Sequence, residues 1–135
     1  MSYPITAIAT AICGLLLLIL AIDTVRQRLR THTAFGEGGG DVRLIQAMRA
    51  HGNLAEHAPI ALLLIGLLEG AKVHHMALTA VAAFFLFARA MHAWGLYLPI
   101  KDKPPVPRQI GVIGTWLSLA TLSIWTLVTV ARLNF

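Results

Sequence analysis

Charge is what this 135-residue chain has least of. Asp, Glu, Lys and Arg together make up 13% of it, where a soluble domain carries about 25%. Such a chain lacks the polar surface of a soluble globule. Cysteine is nearly absent too. Cys13 stands alone inside an apolar run, which excludes an intrachain disulfide and leaves the redox compartment unread. A reactive thiol is not expected in that setting. Acidic residues number 6 against 11 basic ones. That imbalance raises nucleic acid as a partner, but the basic residues sit between apolar runs, where they set membrane topology. No nucleic-acid role is expected. The N-terminus has no basic leader, and its apolar run is too long for a signal core, so a retained helix is expected.

What is there in quantity is apolar sequence, 57% of the chain. Lipid-exposed backbone must satisfy its own hydrogen bonds, so the expected fold class is all-α, an integral membrane four-helix bundle in antiparallel up-down order. Pro4 to Ile22 carries no charge and would be about 28 Å long as a helix, enough for a bilayer core of about 30 Å. The four helices are expected at about 4–25, 44–68, 76–98 and 109–131 of one domain, 1–135. Between the first two lies a polar, flexible loop with Gly36-Glu37-Gly38-Gly39-Gly40. It is no phosphate cradle, because no Gly-Lys-Ser/Thr follows and no strand precedes it. Pro104, Pro105 and Pro107 keep the third connection from being helical throughout.

The basic residues sort by side. Loop one and its flanks hold Arg26, Arg28, Arg30, Arg43 and Arg49; loop three holds Lys101, Lys103 and Arg108. Lys72 and Arg132 fall on the other side. Loops one and three are therefore expected in the cytoplasm, with both termini and loop two opposite. The expected location is a bacterial inner membrane.

Function is sought where polarity is forced into the bilayer. The apolar run behind His57 is too short to span alone, so helix two must begin near Arg49 and take Asn53 and Glu56 into the membrane. A charge at the bilayer centre costs about 2.5–3.5 kcal/mol on insertion scales, and such residues are seldom incidental. Arg49, Asn53 and Glu56 are spaced i, i+4, i+7 and share one helix face. Arg89 and His92, at i and i+3, share another, and both sets fall in the same half of the bilayer. Guanidiniums grip carboxylates in a fork, an amide adds direction, and a carboxylate holds an ammonium. The set suits a small zwitterion with several carboxylates. The bland alternative is that Glu56 pairs with Arg49 or Arg89 only to fix register. His51 and His57 do not have zinc-motif spacing, and no metal is expected. His74-His75 reads as a solvated turn. Trp94, Tyr97, Trp116 and Trp125 read as packing or interface aromatics.

Arg49-Ala50-His51-Gly52-Asn53-Leu54-Ala55-Glu56, with Pro59 close behind, resembles the helix-two motif of the MAPEG family, membrane-associated proteins in eicosanoid and glutathione metabolism. Phe87-Ala88-Arg89-Ala90-Met91-His92 resembles that family's helix-three element. Length, four helices and basic loops one and three agree. The resemblance implies a homotrimer that binds glutathione as co-substrate between neighbouring subunits near the cytoplasmic side. It implies that Arg49, Asn53 and Glu56 hold the peptide, with Arg89 and His92 facing them. Arg26, or less directly Arg30, would add a contact from helix one, and Tyr97 one from helix three. Arg108 would be the catalytic cation beside the thiolate, with Lys103 its competitor. Gly52, His57 and Leu96 depart from residues common in the family. The implied activity is glutathione conjugation to lipophilic small-molecule electrophiles, or reduction of lipid hydroperoxides. A non-catalytic relative that binds a lipid or partner is the first alternative. A small four-helix drug exporter is the second, disfavoured because Pro4 to Ile22 lacks a carboxylate.

Overall fold

The computed structural model describes residues 2–99 and 102–134; Ile100 and Lys101, which the topology reading places at the third connection, lie outside the described residues. The chain forms four helices, α1 (Pro4–Arg30), α2 (Val42–Gly70), α3 (His75–Tyr97) and α4 (Val106–Asn134), with no strand among the described residues. This is an all-α membrane bundle. Three helices, α1, α3 and α4, are long and apolar enough to cross a membrane. Helix α2 has the length, but its first half carries the polar cluster.

The helix ends follow local chemistry. Pro4 opens α1, where its missing N–H costs nothing. Tyr3 before it offers no side-chain cap. Glu69, at the far end of α2, supplies one instead: its carboxylate accepts from the Ile5 and Thr6 amides at 2.8 Å and from the Thr6 hydroxyl at 2.6 Å. Asp41 caps α2 through Leu44 N at 2.9 Å. His74 caps α3, its Nδ1 accepting from Ala77 N at 3.3 Å. The solvated-turn reading of His74 thus gains a structural role. Helix α1 runs on to Arg30 rather than stopping near residue 25, and α4 opens at Val106 rather than Gln109. Pro107 sits inside that first turn, where proline is tolerated.

The pairings are antiparallel. The start of α1 meets the end of α2 at Glu69, while Arg30 pairs with Asp41 at 2.5 Å at the other end. Helices α3 and α4 approach most closely. A Cβ on Gly111 would stand 2.5 Å from the His92 backbone, and one on Gly95 would stand 2.3 Å from Arg108 N. Only glycine permits that spacing, as small residues do between membrane helices. Helices α2 and α3 are central, and among the described residues α1 and α4 lie on opposite flanks without approaching each other. Leu54, Ile65, Leu78, Phe85 and Leu122 fill the interior.

Loop one is held rather than loose. Arg28 Nη1 donates to the carbonyls of Ala34 at 3.1 Å, Gly36 at 3.4 Å and Thr33 at 3.5 Å. Gly36, Gly38, Gly39 and Gly40 all take positive φ, a region that glycine enters without a steric penalty.

Candidate functional site

The centre of the polar cluster is Arg89. It is 3% exposed, held by α3 against α2 and α4. Its Nη1 donates to Asn53 Oδ1 at 2.7 Å and, at 3.4 Å, to Asn53 O; its Nη2 reaches Gly111 O at 3.4 Å. Its Nε is buried without a partner. No carboxylate pairs with it: Arg30–Asp41 is the sole salt bridge among the described residues. A buried guanidinium satisfied only by an amide and two carbonyls has lost its hydration without gaining a counter-charge.

His92 lies one turn further along α3 and is 6% exposed. Its Nδ1 is likewise buried and unpartnered. The charged groups acting on it are Arg89, Arg108 and His57, all of them basic. His57 Nδ1 lies 2.8 Å from Asn53 O and donates to it. The inner cluster thus gathers basic side chains with no Asp or Glu among them, and the acceptors it holds, Asn53 Oδ1, Asn53 O and Gly111 O, are neutral.

The remaining expected residues are not gathered here. Asn53 turns inward to Arg89, while Arg49 and Glu56, on the same arc of α2, are exposed. A common helix face is not a common environment, because α3 covers only one edge of that arc. The register pair of Glu56 with Arg49 or Arg89 does not form. Arg108 is half-buried in the first turn of α4, its backbone fixed by Gly95, and it lines a groove of about 310 Å³ with Pro104, Gln109, Val112 and Ile113.

Arg26 and Tyr97 belong to a separate groove of about 430 Å³ with Ile19, Leu20, Ile22 and Asp23. There Tyr97 donates its hydroxyl proton to Asp23 at 2.7 Å, so in one chain it ties α3 to α1. Asp23 is the residue that follows the uncharged run Pro4 to Ile22. Cys13 is buried and lies within electrostatic reach of Arg89. It also lines an apolar groove of about 390 Å³ between α1 and α2, with Leu17, Leu54, Ala58, Pro59 and Leu62. No group of His, Cys, Asp and Glu with metal-holding geometry occurs among the described residues.

Comparison with known proteins gives the chain its family. The chain is 31% identical over 117 residues to inner membrane protein YecN of Escherichia coli strain K12, covering 85% of this chain and 84% of that one. It matches YecN of Escherichia coli O6:H1 to the same extent. No solved structure matches. The MAPEG family model covers residues 6–128, the whole of the bundle apart from its two ends, and the chain belongs to the MAPEG family.

Proposed function

We propose that this protein is a glutathione-dependent membrane enzyme that delivers the peptide's thiolate to lipophilic electrophiles. The observation that carries the reading is Arg89, a buried guanidinium without a carboxylate, its Nε unpartnered and the basic neighbours of His92 one turn along the same helix. Such a centre calls for an anion from outside the chain. A peptide with two carboxylates, an ammonium and a thiol matches donors at Arg89, Asn53, His92 and Arg49, with the carboxylate of Glu56 for the ammonium.

The same reading takes the protein as a homotrimer. Among the described residues Arg26 on α1 and Arg108 on α4 lie on flanks that do not approach each other, and Glu56 and Arg49 are both exposed on a bundle whose outer face is largely apolar. A neighbouring copy that set its α1 beside α4 would bring the two arginines together and cover Glu56 and Arg49. An uncovered carboxylate facing lipid would be costly. The apolar groove beside Pro59 offers a place for the acceptor's hydrocarbon. All four helices span, in a bacterial inner membrane, with loops one and three in the cytoplasm, so the site opens toward the side where the basic loops lie.

In the reaction the thiol loses its proton to solvent. The thiolate attacks the electrophilic carbon, the C–S bond forms, and the leaving group departs with the bonding pair. Arg108 stabilises the thiolate. In reduction of a hydroperoxide the same thiolate would attack the terminal oxygen, the O–O bond would break with the alcohol as leaving group, and a second glutathione would displace water from the sulfenic acid to form the disulfide.

Calorimetry on detergent-purified protein tests the reading. Glutathione binds the wild type, and Glu56→Gln and Arg49→Ala each weaken it about tenfold, the loss of one charged hydrogen bond, while native mass remains that of a trimer. Unchanged affinity in both variants overturns the site, and a native mass of one or two protomers overturns the trimer.

A further inference from the structure

Phe35 is 91% exposed, and its exposure is built in. The carbonyls on either side of it, Ala34 and Gly36, both accept from Arg28, so the backbone is pinned inward while the ring projects out. Leu29 and Val42, which flank the loop, are also exposed, at 70% and 66%. Arg26, Arg30 and Arg43 are exposed among them. An apolar knuckle ringed by arginines is a poor surface for water.

Depth decides what covers it. The uncharged run of α1 ends at Ile22. Arg28 lies six residues on, about 9 Å further at 1.5 Å per residue. Arg28 carries the loop, so Phe35 stands near that level. The headgroup layer on each side of a bilayer is about 5–8 Å thick, and helix tilt shortens the rise. The ring therefore sits at the headgroup boundary, where aromatic residues are favoured and basic side chains gain from anionic lipid. We propose that loop one is a lipid-binding finger: Phe35 inserts between headgroups of the protein's own membrane, and Arg30 and Arg43 hold anionic lipid phosphates around it.

The proposal is independent of glutathione, since it uses none of the Arg89 cluster. The test places an environment-sensitive bimane on Phe35→Cys in a Cys13→Ala background. The protein is reconstituted in nanodiscs of phosphatidylcholine alone or mixed with phosphatidylglycerol, each with a shallow spin-labelled lipid as quencher. The expected result is blue-shifted emission and quenching that is about twofold stronger with phosphatidylglycerol, lost in high salt or in Arg30→Gln/Arg43→Gln, as surface-charge attraction requires. A water-like, unquenched spectrum in both discs overturns the finger. Equal quenching in both discs overturns the anionic-lipid contact. A blue shift already present in detergent, without quenching in discs, assigns the ring to another protein surface and also overturns the proposal.

Discussion

Arg89 Nη1 donates to Asn53 Oδ1 at 2.7 Å across the boundary between α2 and α3. The amide is a neutral partner for a buried cation, so the pair holds the helices together and leaves the positive charge unspent. Replacing the amide by a carboxylate separates those two roles. Asn53→Asp gives Arg89 an internal counter-ion; it is expected to keep or raise the thermal midpoint while weakening glutathione binding about tenfold or more. Asn53→Ala leaves the guanidinium short of a partner and is expected to cost about 1–3 kcal/mol of stability. Thermal unfolding in detergent and calorimetry on the same samples check both. Full glutathione affinity in Asn53→Asp would show that Arg89 does not meet the ligand.

Asp41 gives the fold a pH dependence outside the membrane. Its carboxyl is held below the usual carboxylate range, chiefly by the Leu44 backbone amide and then by Arg30. A depressed folded-state pKa means that the ionised form is favoured by folding. The stabilisation is present above the unfolded value near 3.8 and is lost as pH falls through the lower folded one. On acidification toward pH 3, the wild-type thermal midpoint is expected to fall more steeply than that of Asp41→Asn. Both midpoints should be less sensitive to pH above 5, and salt should narrow the difference, since the pair with Arg30 is exposed.

Most of the bundle was legible in the sequence because span length is a strong constraint. An uncharged run such as Pro4 to Ile22 has few other destinations. The arc shared by Arg49, Asn53 and Glu56 follows from the helical repeat alone. What the repeat cannot give is which edge of that arc a neighbour covers, so the inward turn of Asn53 against the exposure of Glu56 was hidden. Partners distant in sequence were hidden for the same reason. Asp23 with Tyr97 and Glu69 with Thr6 each join residues on different helices. Gly95 and Gly111 carry no pattern in the sequence that marks them; they become informative only once α3 and α4 are seen to touch backbone to backbone.

That touching surface makes a steric prediction. Gly111→Ala sets a methyl against the His92 backbone, with Cα, Cβ and N all about 2.5 Å away. None of these is the end of a flexible side chain, so the helices must separate. The expected cost is at the upper end of about 1–3 kcal/mol for overpacking, with loss of glutathione turnover as His92 and Arg108 move apart. Gly14→Ala is the control: a Cβ there meets nothing within 4 Å and should leave the thermal midpoint unchanged or raised. A tolerated Gly111→Ala would mean that α4 shifts freely along α3.

Topology is tested at two loops. With loops one and three in the cytoplasm, a cysteine at Gly39 in Cys13→Ala protein should resist an impermeant maleimide added to intact cells, and one at His74 should react. Opening the cells should expose the first. Gly39 φ is +67°, a conformation that carries some strain for cysteine, so Glu37→Cys in the same loop is the parallel reporter. Labelling of loop one from outside, with His74→Cys silent, would invert the bundle and with it the side from which the site is reached.

In the proposed reaction Arg108 is the residue on which the chemistry turns. A free thiol titrates near pH 8.5, so only a few per cent is thiolate at neutral pH. A fixed cation beside the sulfur raises that share, and the thiolate is the nucleophile. Arg108 has the fixity: Pro107 precedes it, its backbone sits against Gly95, and it opens α4, whose N-terminus favours an anion. It also lies among the basic groups that surround His92. The competing role is that of a topology-setting arginine at the membrane surface, and kinetics separates the two. Arg108→Ala should lower turnover of a chlorodinitrobenzene electrophile by about 10²-fold or more, the scale of losing one charge-stabilising group, with glutathione affinity changed far less. It should also abolish thiolate absorbance of bound glutathione at neutral pH. Arg108→Lys should restore part of that absorbance, because the charge matters more than the guanidinium fork. If Arg108→Ala keeps full turnover, the thiolate's cation is another residue. Lys103 in the preceding loop and Arg26 on α1 are then the residues to substitute next.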